Sequence, residues 1–320
     1  MYLSSEQKDH FAREGYLLVE NALSGTDLQP LIDDYTAFID RRARQLHQQN
    51  KLSQLYETEP FSRRLAQICR EDLSIYRDID LMNFRGRDAF AFLHNEALLD
   101  LIEDLIGPEI TCSPIQHARA KLPANLLQKV AATDAEAKTQ LSAAIAENVA
   151  PWHQDAQVHL EEADPSFILT VWLPLCDATP QNGCLQLIPR QHLRDTVYWS
   201  EGFGISDENL PATKVLTLPM RKGSVLLMHK LIPHRSTPNT SDDIRWSLDL
   251  RYQRSGTPTG RSFYPAFVAR SRANPAAELR DHAEWSRQWQ QALADITPAN
   301  RPRRQNRPTS PAPMPGAADA

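Results

Sequence analysis

Phe167-Ile168-Leu169-Thr170-Val171-Trp172-Leu173-Pro174-Leu175 is nearly continuous apolar and β-branched sequence. It reads as a buried strand and is followed by a turn carrying Pro180, Asn182 and Gly183. Residues 184–188 read as a second buried strand, and 213–218, 224–228 and 244–253 add three more. Upstream, 16–19 reads as a short strand and 111–122 as a longer one. On the longer one His117, Arg119 and Lys121 alternate onto one face, opposite Ala118, Ala120 and Leu122. That polar face is either solvated or lines a cavity. Short strands separated by turn signals, without regular helices between them, favour an antiparallel barrel or sandwich over an α/β fold.

Helices are expected around this sheet. Ser4 and Gln7 stand at capping-box spacing, with Gly15 placed to end the helix they open. Residues 27–48 have the charge and recurring apolar positions of an amphipathic helix lying against a sheet. A further helix over 96–106 is stopped by Gly107-Pro108. Residues 124–150 read as one or two helices, either a lid or a solvated excursion. The stretch 254–270 reads as a loop returning over the cavity mouth, and 276–296 as a last helix docked by Trp285 and Trp289. One domain over 1–296 is expected: a helical layer to about 108, a barrel over about 109–255, and a loop and helix over 256–296. The Pro-, Arg- and Ala-rich stretch 297–320 reads as a disordered tail.

A net charge of −5 over 320 residues gives no general electrostatic reason to bind nucleic acid or an anionic membrane. The opening residues lack the pattern of a signal peptide, and no stretch has the length of a membrane span, which together predict a cytoplasmic protein. Four cysteines without paired spacing suggest neither a disulfide framework nor a zinc site.

The chemistry is concentrated in Trp152-His153-Gln154-Asp155. If this segment is a strand, His153 and Asp155 fall on one face and can hold one ion together. His234, just past the β-like run 223–228, supplies a third ligand, with His229 its rival. Two imidazoles and one carboxylate make the facial triad of non-haem Fe(II) oxygenases, whose opposite face is open to cosubstrate and dioxygen. Arg245 lies eleven residues beyond His234, and its planar guanidinium suits two-point recognition of a carboxylate. Ser247 shares its strand face.

Taken in order with 169–175, Asp177-Ala178-Thr179-Pro180-Gln181-Asn182-Gly183-Cys184-Leu185, Lys222-Gly223-Ser224-Val225-Leu226, Pro233-His234-Arg235-Ser236 and Arg245-Trp246-Ser247, these pieces resemble the phytanoyl-CoA dioxygenase family of Fe(II)/2-oxoglutarate-dependent oxygenases. The resemblance covers roughly 110–255. It implies a mainly β fold with flanking helices, a double-stranded β-helix of the jelly-roll, cupin-like kind. It also implies iron on His153, Asp155 and His234, and 2-oxoglutarate held by Arg245, with Ser247, Ser236, Lys121 and Trp172 in contact. On the residues alone Trp172 is equally a core side chain. The implied reaction is hydroxylation of a small organic substrate, with release of succinate and carbon dioxide. A cupin-like metal-binding protein, or a non-oxidative hydrolase or isomerase, uses a similar ligand set, since zinc also accepts two histidines and a carboxylate. Arg245 discriminates, because such a site needs no carboxylate clamp. Halogenation would need the ligand place that Asp155 fills.

Overall fold

A computed structural model describes residues 2–126, 151–198, 204–297 and 299–304. Most of the expected lid, 127–150, lies outside them. Helix α1 (Ser5–Glu14) starts on the Ser4–Gln7 capping box and ends on Gly15, whose φ of 78° suits glycine. A side chain at Gly15 would also collide with the His192 ring, 2.3 Å from the Cβ position. Strand β1 (Tyr16–Val19) follows, then α2 (Gly25–Gln48). Leu28, Leu31, Ile32, Tyr35, Ile39, Ala43 and Leu46 form its buried stripe at helical spacing. Helices α3 (Phe61–Glu71), α4 (Leu81–Phe84), α5 (Arg87–Phe92) and α6 (Glu96–Ile106) complete this layer.

The remaining strands are β2 (Glu109–Cys112), β3 (His117–Lys121), β4 (Ile168–Pro174), β5 (Leu185–Leu187), β6 (Leu216–Leu218), β7 (Val225–His229), β8 (His234–Ser236), β9 (Arg245–Arg254) and β10 (Phe267–Ser271). A last helix, α7, spans His282–Asp295. The larger sheet runs β1-β7-β4-β9-β2-β10, with β3 also paired to β9, and the smaller runs β6-β5-β8. Every pairing is antiparallel. Strand β4 is buried along its whole length, which accounts for its unbroken apolar sequence. Its outer face joins the helical layer through Leu169, Val171 and Leu173. Its Trp172 packs with Leu226 and Met228 of β7 against Leu185 and Leu187 of β5, so the two sheets face each other. Trp246 of β9 anchors the helices on the same face as Leu169, Val171 and Leu173, stacked on Phe61 at 4.8 Å and 5.4 Å from Tyr35.

Three expectations are corrected. The single strand expected over 111–122 is two strands, broken where Pro114 lacks an N–H and the Gln116 amide bonds to Ser113 O (2.6 Å) and Arg251 O (2.8 Å). The loop expected over 254–270 runs into β10, paired with β2. The last helix opens at Asp281, whose carboxylate caps Ala283 and Glu284, whereas 275–277 form only a single 3-10 turn. Trp285 and Trp289 dock it as expected. At the start of the expected tail, Arg301 N bonds to Thr297 O (3.0 Å) and Arg304 pairs with Asp164 (2.5 Å). Residues 305–320 lie outside the description. No helix among the described residues is long and apolar enough to cross a membrane.

Candidate active site

His153 and Asp155 are not on a strand. His153 forms an isolated antiparallel bridge with His234, N to O at 3.1 and 2.9 Å in the two directions, which sets the imidazole centroids 4.3 Å apart. Asp155 instead opens a 3-10 turn, Asp155–Val158. That turn swings its carboxylate toward the same point, and one ligand atom from each of His153, Asp155 and His234 lies within 4.8 Å of the others. His153 Nδ1 is 2.8 Å from Pro151 O and His234 Nδ1 is 3.0 Å from Ile232 O. With Nδ1–H donating to those carbonyls, Nε2 becomes the ligating nitrogen of each ring. Burial, then the neighbouring His234, holds His153 down to about 4, so it is neutral at pH 7, as a ligand must be.

Asp155 is buried and held on both oxygens. Oδ1 accepts from Arg251 Nη2 at 2.5 Å, and Oδ2 accepts from the Thr170 hydroxyl. Burial alone would lift its carboxyl, but Arg251 and the two histidines outweigh it and hold Asp155 well below the usual carboxylate range. Arg251 also contacts Asp249 at 3.3 Å.

The second part of the site comes from the other end of β9. Arg245 is buried, with its guanidinium carbon 5.2 Å from the Trp172 ring centroid and one Nη donating to the Ser247 hydroxyl. Its Nε has no hydrogen-bond partner, and no carboxylate among the described residues pairs with it. Burial pulls Arg245 down to about 10, which leaves it charged at pH 7. Lys121 is buried beside it and donates to Ser236 Oγ at 2.8 Å; burial, then Arg245, pulls the amine down to about 7. The Lys121 stem runs over Gly183, where an added Cβ would stand 2.4 Å from Lys121 Cδ and φ is 104°.

One cavity of about 330 Å³ joins both parts, lined by His153, Asp155, His234, Arg245, Lys121 and Trp172 among others. Ser236 also lines it. Ser247 lies behind Arg245, fully buried and outside the lining. His229 is separate from the ligand cluster: its Nδ1 accepts from Leu231 N at 3.1 Å and its ring packs on Phe167 and His192. His159, expected where the chain turns outward, is buried with Nδ1 3.1 Å from Thr259 O. The sequence reading missed Thr170, Asp249 and Arg251. The signal was present as polar residues at 245, 247, 249 and 251, alternating with Trp246, Leu248, Leu250 and Tyr252.

A mainly antiparallel β fold with helices on one side encloses two histidines and a carboxylate that could hold a metal ion, beside a buried arginine. Residues 11–247 match the phytanoyl-CoA dioxygenase (PhyH) family, and the chain belongs to this family of non-haem iron, 2-oxoglutarate-dependent oxygenases. It is 31% identical over 122 residues to the methylphosphonate hydroxylase of Gimesia maris, a match covering 37% of this chain and 45% of that protein. It is 21% identical over 284 residues to a probable phytanoyl-CoA dioxygenase of Caenorhabditis elegans, covering 78% of this chain and 75% of that one. The chain thus spans less than half of the first of these relatives. The non-haem monooxygenase ThoJ in its apo form shares the fold, with a TM-score of 0.56 and 17% identity over 90% of this chain and 98% of that one.

Fe(II), with 2-oxoglutarate and dioxygen as cosubstrates, is the cofactor set of this family, and the residues present fit it. One ring nitrogen from each histidine and a carboxylate oxygen converge within 4.8 Å. The orphaned Nε of the buried Arg245, with no carboxylate partner among the described residues, suits the carboxylate of 2-oxoglutarate.

Proposed function

We propose that this chain is an Fe(II)- and 2-oxoglutarate-dependent dioxygenase that hydroxylates a small organic substrate in the cytoplasm and releases succinate and carbon dioxide. The carrying observation is the buried Arg245 guanidinium, without a carboxylate partner among the described residues, in the same cavity as His153, Asp155 and His234. A metal site for hydrolysis or isomerisation has no use for that cation. In this reading the two facing sheets are the halves of a double-stranded β-helix. The hydroxylase arm draws support from the matched Gimesia maris hydroxylase, and the cytoplasmic placement from four unpaired cysteines.

Iron with 2-oxoglutarate supplies the oxidising power, and the chain's own residues supply position. His153, Asp155 and His234 would hold the metal at the wall of the cavity they line. Arg245 and Lys121 receive the distal carboxylate of 2-oxoglutarate. Ser247 orients the first cation and Ser236 the second, while the Trp172 ring walls the cosubstrate off from the core. Arg251 and Thr170 fix the Asp155 carboxylate so that it meets the metal without reorganising. No separate general base is required.

The test is anaerobic addition of Fe(II) and 2-oxoglutarate to the purified protein. A weak visible charge-transfer band and calorimetric binding of 2-oxoglutarate that depends on metal are expected. Absence of both overturns the reading in favour of a non-oxidative metal site. A metabolite screen for substrate-stimulated succinate release, with mass analysis of products, then distinguishes hydroxylation from desaturation or ring formation.

A further inference from the structure

The cavity is far more cationic than the protein that contains it. Seven lysines and arginines line it against two aspartates, in a chain of net charge −5. Arg251 is satisfied by Asp155 and Asp249, and Arg245 and Lys121 serve the cosubstrate. Arg119, Arg235, Arg261 and Arg301 are left over by every role assigned so far; Arg119 is near enough to help hold the Asp80 carboxyl down, and Arg235 bonds to Gln186 and lies over the Trp152 ring, which leaves Arg261 and Arg301.

These two guanidiniums sit on adjacent rings. Arg261 lies 5.7 Å from the Phe263 centroid and Arg301 lies 5.7 Å from that of Tyr264, with the two rings 4.6 Å apart. Tyr264 in turn packs on Trp289 of α7 at 5.3 Å, so the platform is anchored to the body of the molecule. Arg261 Nε donates to Val158 O at 2.7 Å, at the last residue of the turn that Asp155 opens. Arg301 is held on one side by the turn on Thr297 and on the other by the Arg304–Asp164 pair. Neither Arg261 nor Arg301 has a carboxylate partner among the described residues.

Apart from Arg245, which faces the cosubstrate place, several buried arginines carry counter-charges that the half-buried Arg261 and the exposed Arg301 lack. Arg270 meets Glu96, Asp100 and Glu103, Arg64 meets Asp40, and Arg251 meets its two aspartates. Two like charges set close together without a counter-charge repel, and burial, then the charge of Arg301, pulls Arg261 down to about 10. An anion placed between them removes that cost, and planar guanidiniums suit the paired oxygens of an oxyacid.

We infer that the substrate carries an oxyanion headgroup, a carboxylate, phosphonate or phosphate, which docks between Arg261 and Arg301 at the cavity mouth and directs the rest of the molecule inward to the metal ligands. This rests on the dioxygenase reading for what happens to the inner end, but the headgroup site stands on its own.

The experiment titrates methylphosphonate, inorganic phosphate and hexanoate, with hexanamide and dimethyl methylphosphonate as uncharged counterparts, into two forms of the protein by calorimetry. One form is the anaerobic Fe(II)–2-oxoglutarate complex, in which the Arg245 site is filled; the other is metal-free. The ranking of the three anions separates a phosphonate or phosphate headgroup from a carboxylate. The anions should bind both forms, the uncharged analogues at least tenfold more weakly. Arg261→Gln and Arg301→Gln should each weaken anion binding tenfold or more while leaving the 2-oxoglutarate charge-transfer band in place. Arg301 is exposed, so its substitution keeps the test valid if Arg261→Gln fails to fold. Uncharged analogues binding as well as the anions, or anion affinities unmoved by Arg301→Gln, overturn the inference. Loss of the band in the wild type, with anion binding intact, counts against the dioxygenase reading and leaves the headgroup site supported.

Discussion

Arg245 is the residue on which the cosubstrate assignment turns. A charge-assisted, two-point contact in a buried site contributes on the order of 2–3 kcal/mol. Arg245→Ala is therefore expected to weaken 2-oxoglutarate about 30- to 150-fold by calorimetry while leaving iron stoichiometry intact, since it is not a ligand. Arg245→Lys should recover only part of the loss, because an ammonium offers one point of contact. The histidines give a second comparison. His234→Ala should lose bound iron, whereas His229→Ala, whose ring packs against Phe167 and His192, should keep it. Iron analysis of both variants checks this, and the reverse result would move the third ligand to His229. The triad and Arg245 were legible because each belongs to a short ordered motif. Arg251 was not, since its partner Asp155 lies 96 residues away and nothing local marks the pair.

At the scale of elements, β9 organises the site. Its apolar face, Trp246, Leu248, Leu250 and Tyr252, faces the helices, while its polar face presents Arg245 at one end and Arg251 toward the metal ligands at the other. Outer contacts that orient a metal ligand commonly contribute 10- to 100-fold in affinity. Arg251→Gln should thus weaken Fe(II) binding about tenfold or more and leave metal-free cosubstrate contacts at Arg245 untouched. Metal titration of the variant decides it. A gain in affinity would mean that the positive charge of Arg251 opposes the ion more than its hydrogen bond helps. Most of the strands, and helices α1, α2 and α6, were readable from periodicity and capping, as at Ser4, Gln7 and Gly15, whereas the strand order and α3 were not read. Short α4 and α5 were not, because four to six residues carry too few turns to show a helical period. The expected strand at 153–155 was wrong, yet both side chains still meet, since a backbone bridge at one and a 3-10 turn at the other replace strand alternation.

For the molecule as a whole, the join between helical layer and sheet carries a titratable group. His94 is buried after α5, with its ring 4.8 Å from Phe90 and 5.1 Å from Phe267 of β10. Nδ1 is 3.1 Å from Phe90 O, and Nε2 has no partner. Burial, rather than the nearby Arg280, is the main reason its pKa is pulled down to about 4. The unfolded chain therefore takes up a proton near pH 6.5 that the folded chain refuses until about pH 4. Stability is fully present above 6.5 and declines as pH falls through that window, because the unfolded state binds more protons there. At pH 5 this one group is worth about 2 kcal/mol, a few degrees of melting temperature in a protein of this size. His94→Phe keeps a ring against Phe90 and Phe267 but removes the proton site. The gap between its melting temperatures at pH 7.5 and pH 5 should then be smaller than in the wild type by those few degrees. Thermal melts of the metal-free proteins at both pH values measure it, and an unchanged gap would show that the acid sensitivity comes from other groups.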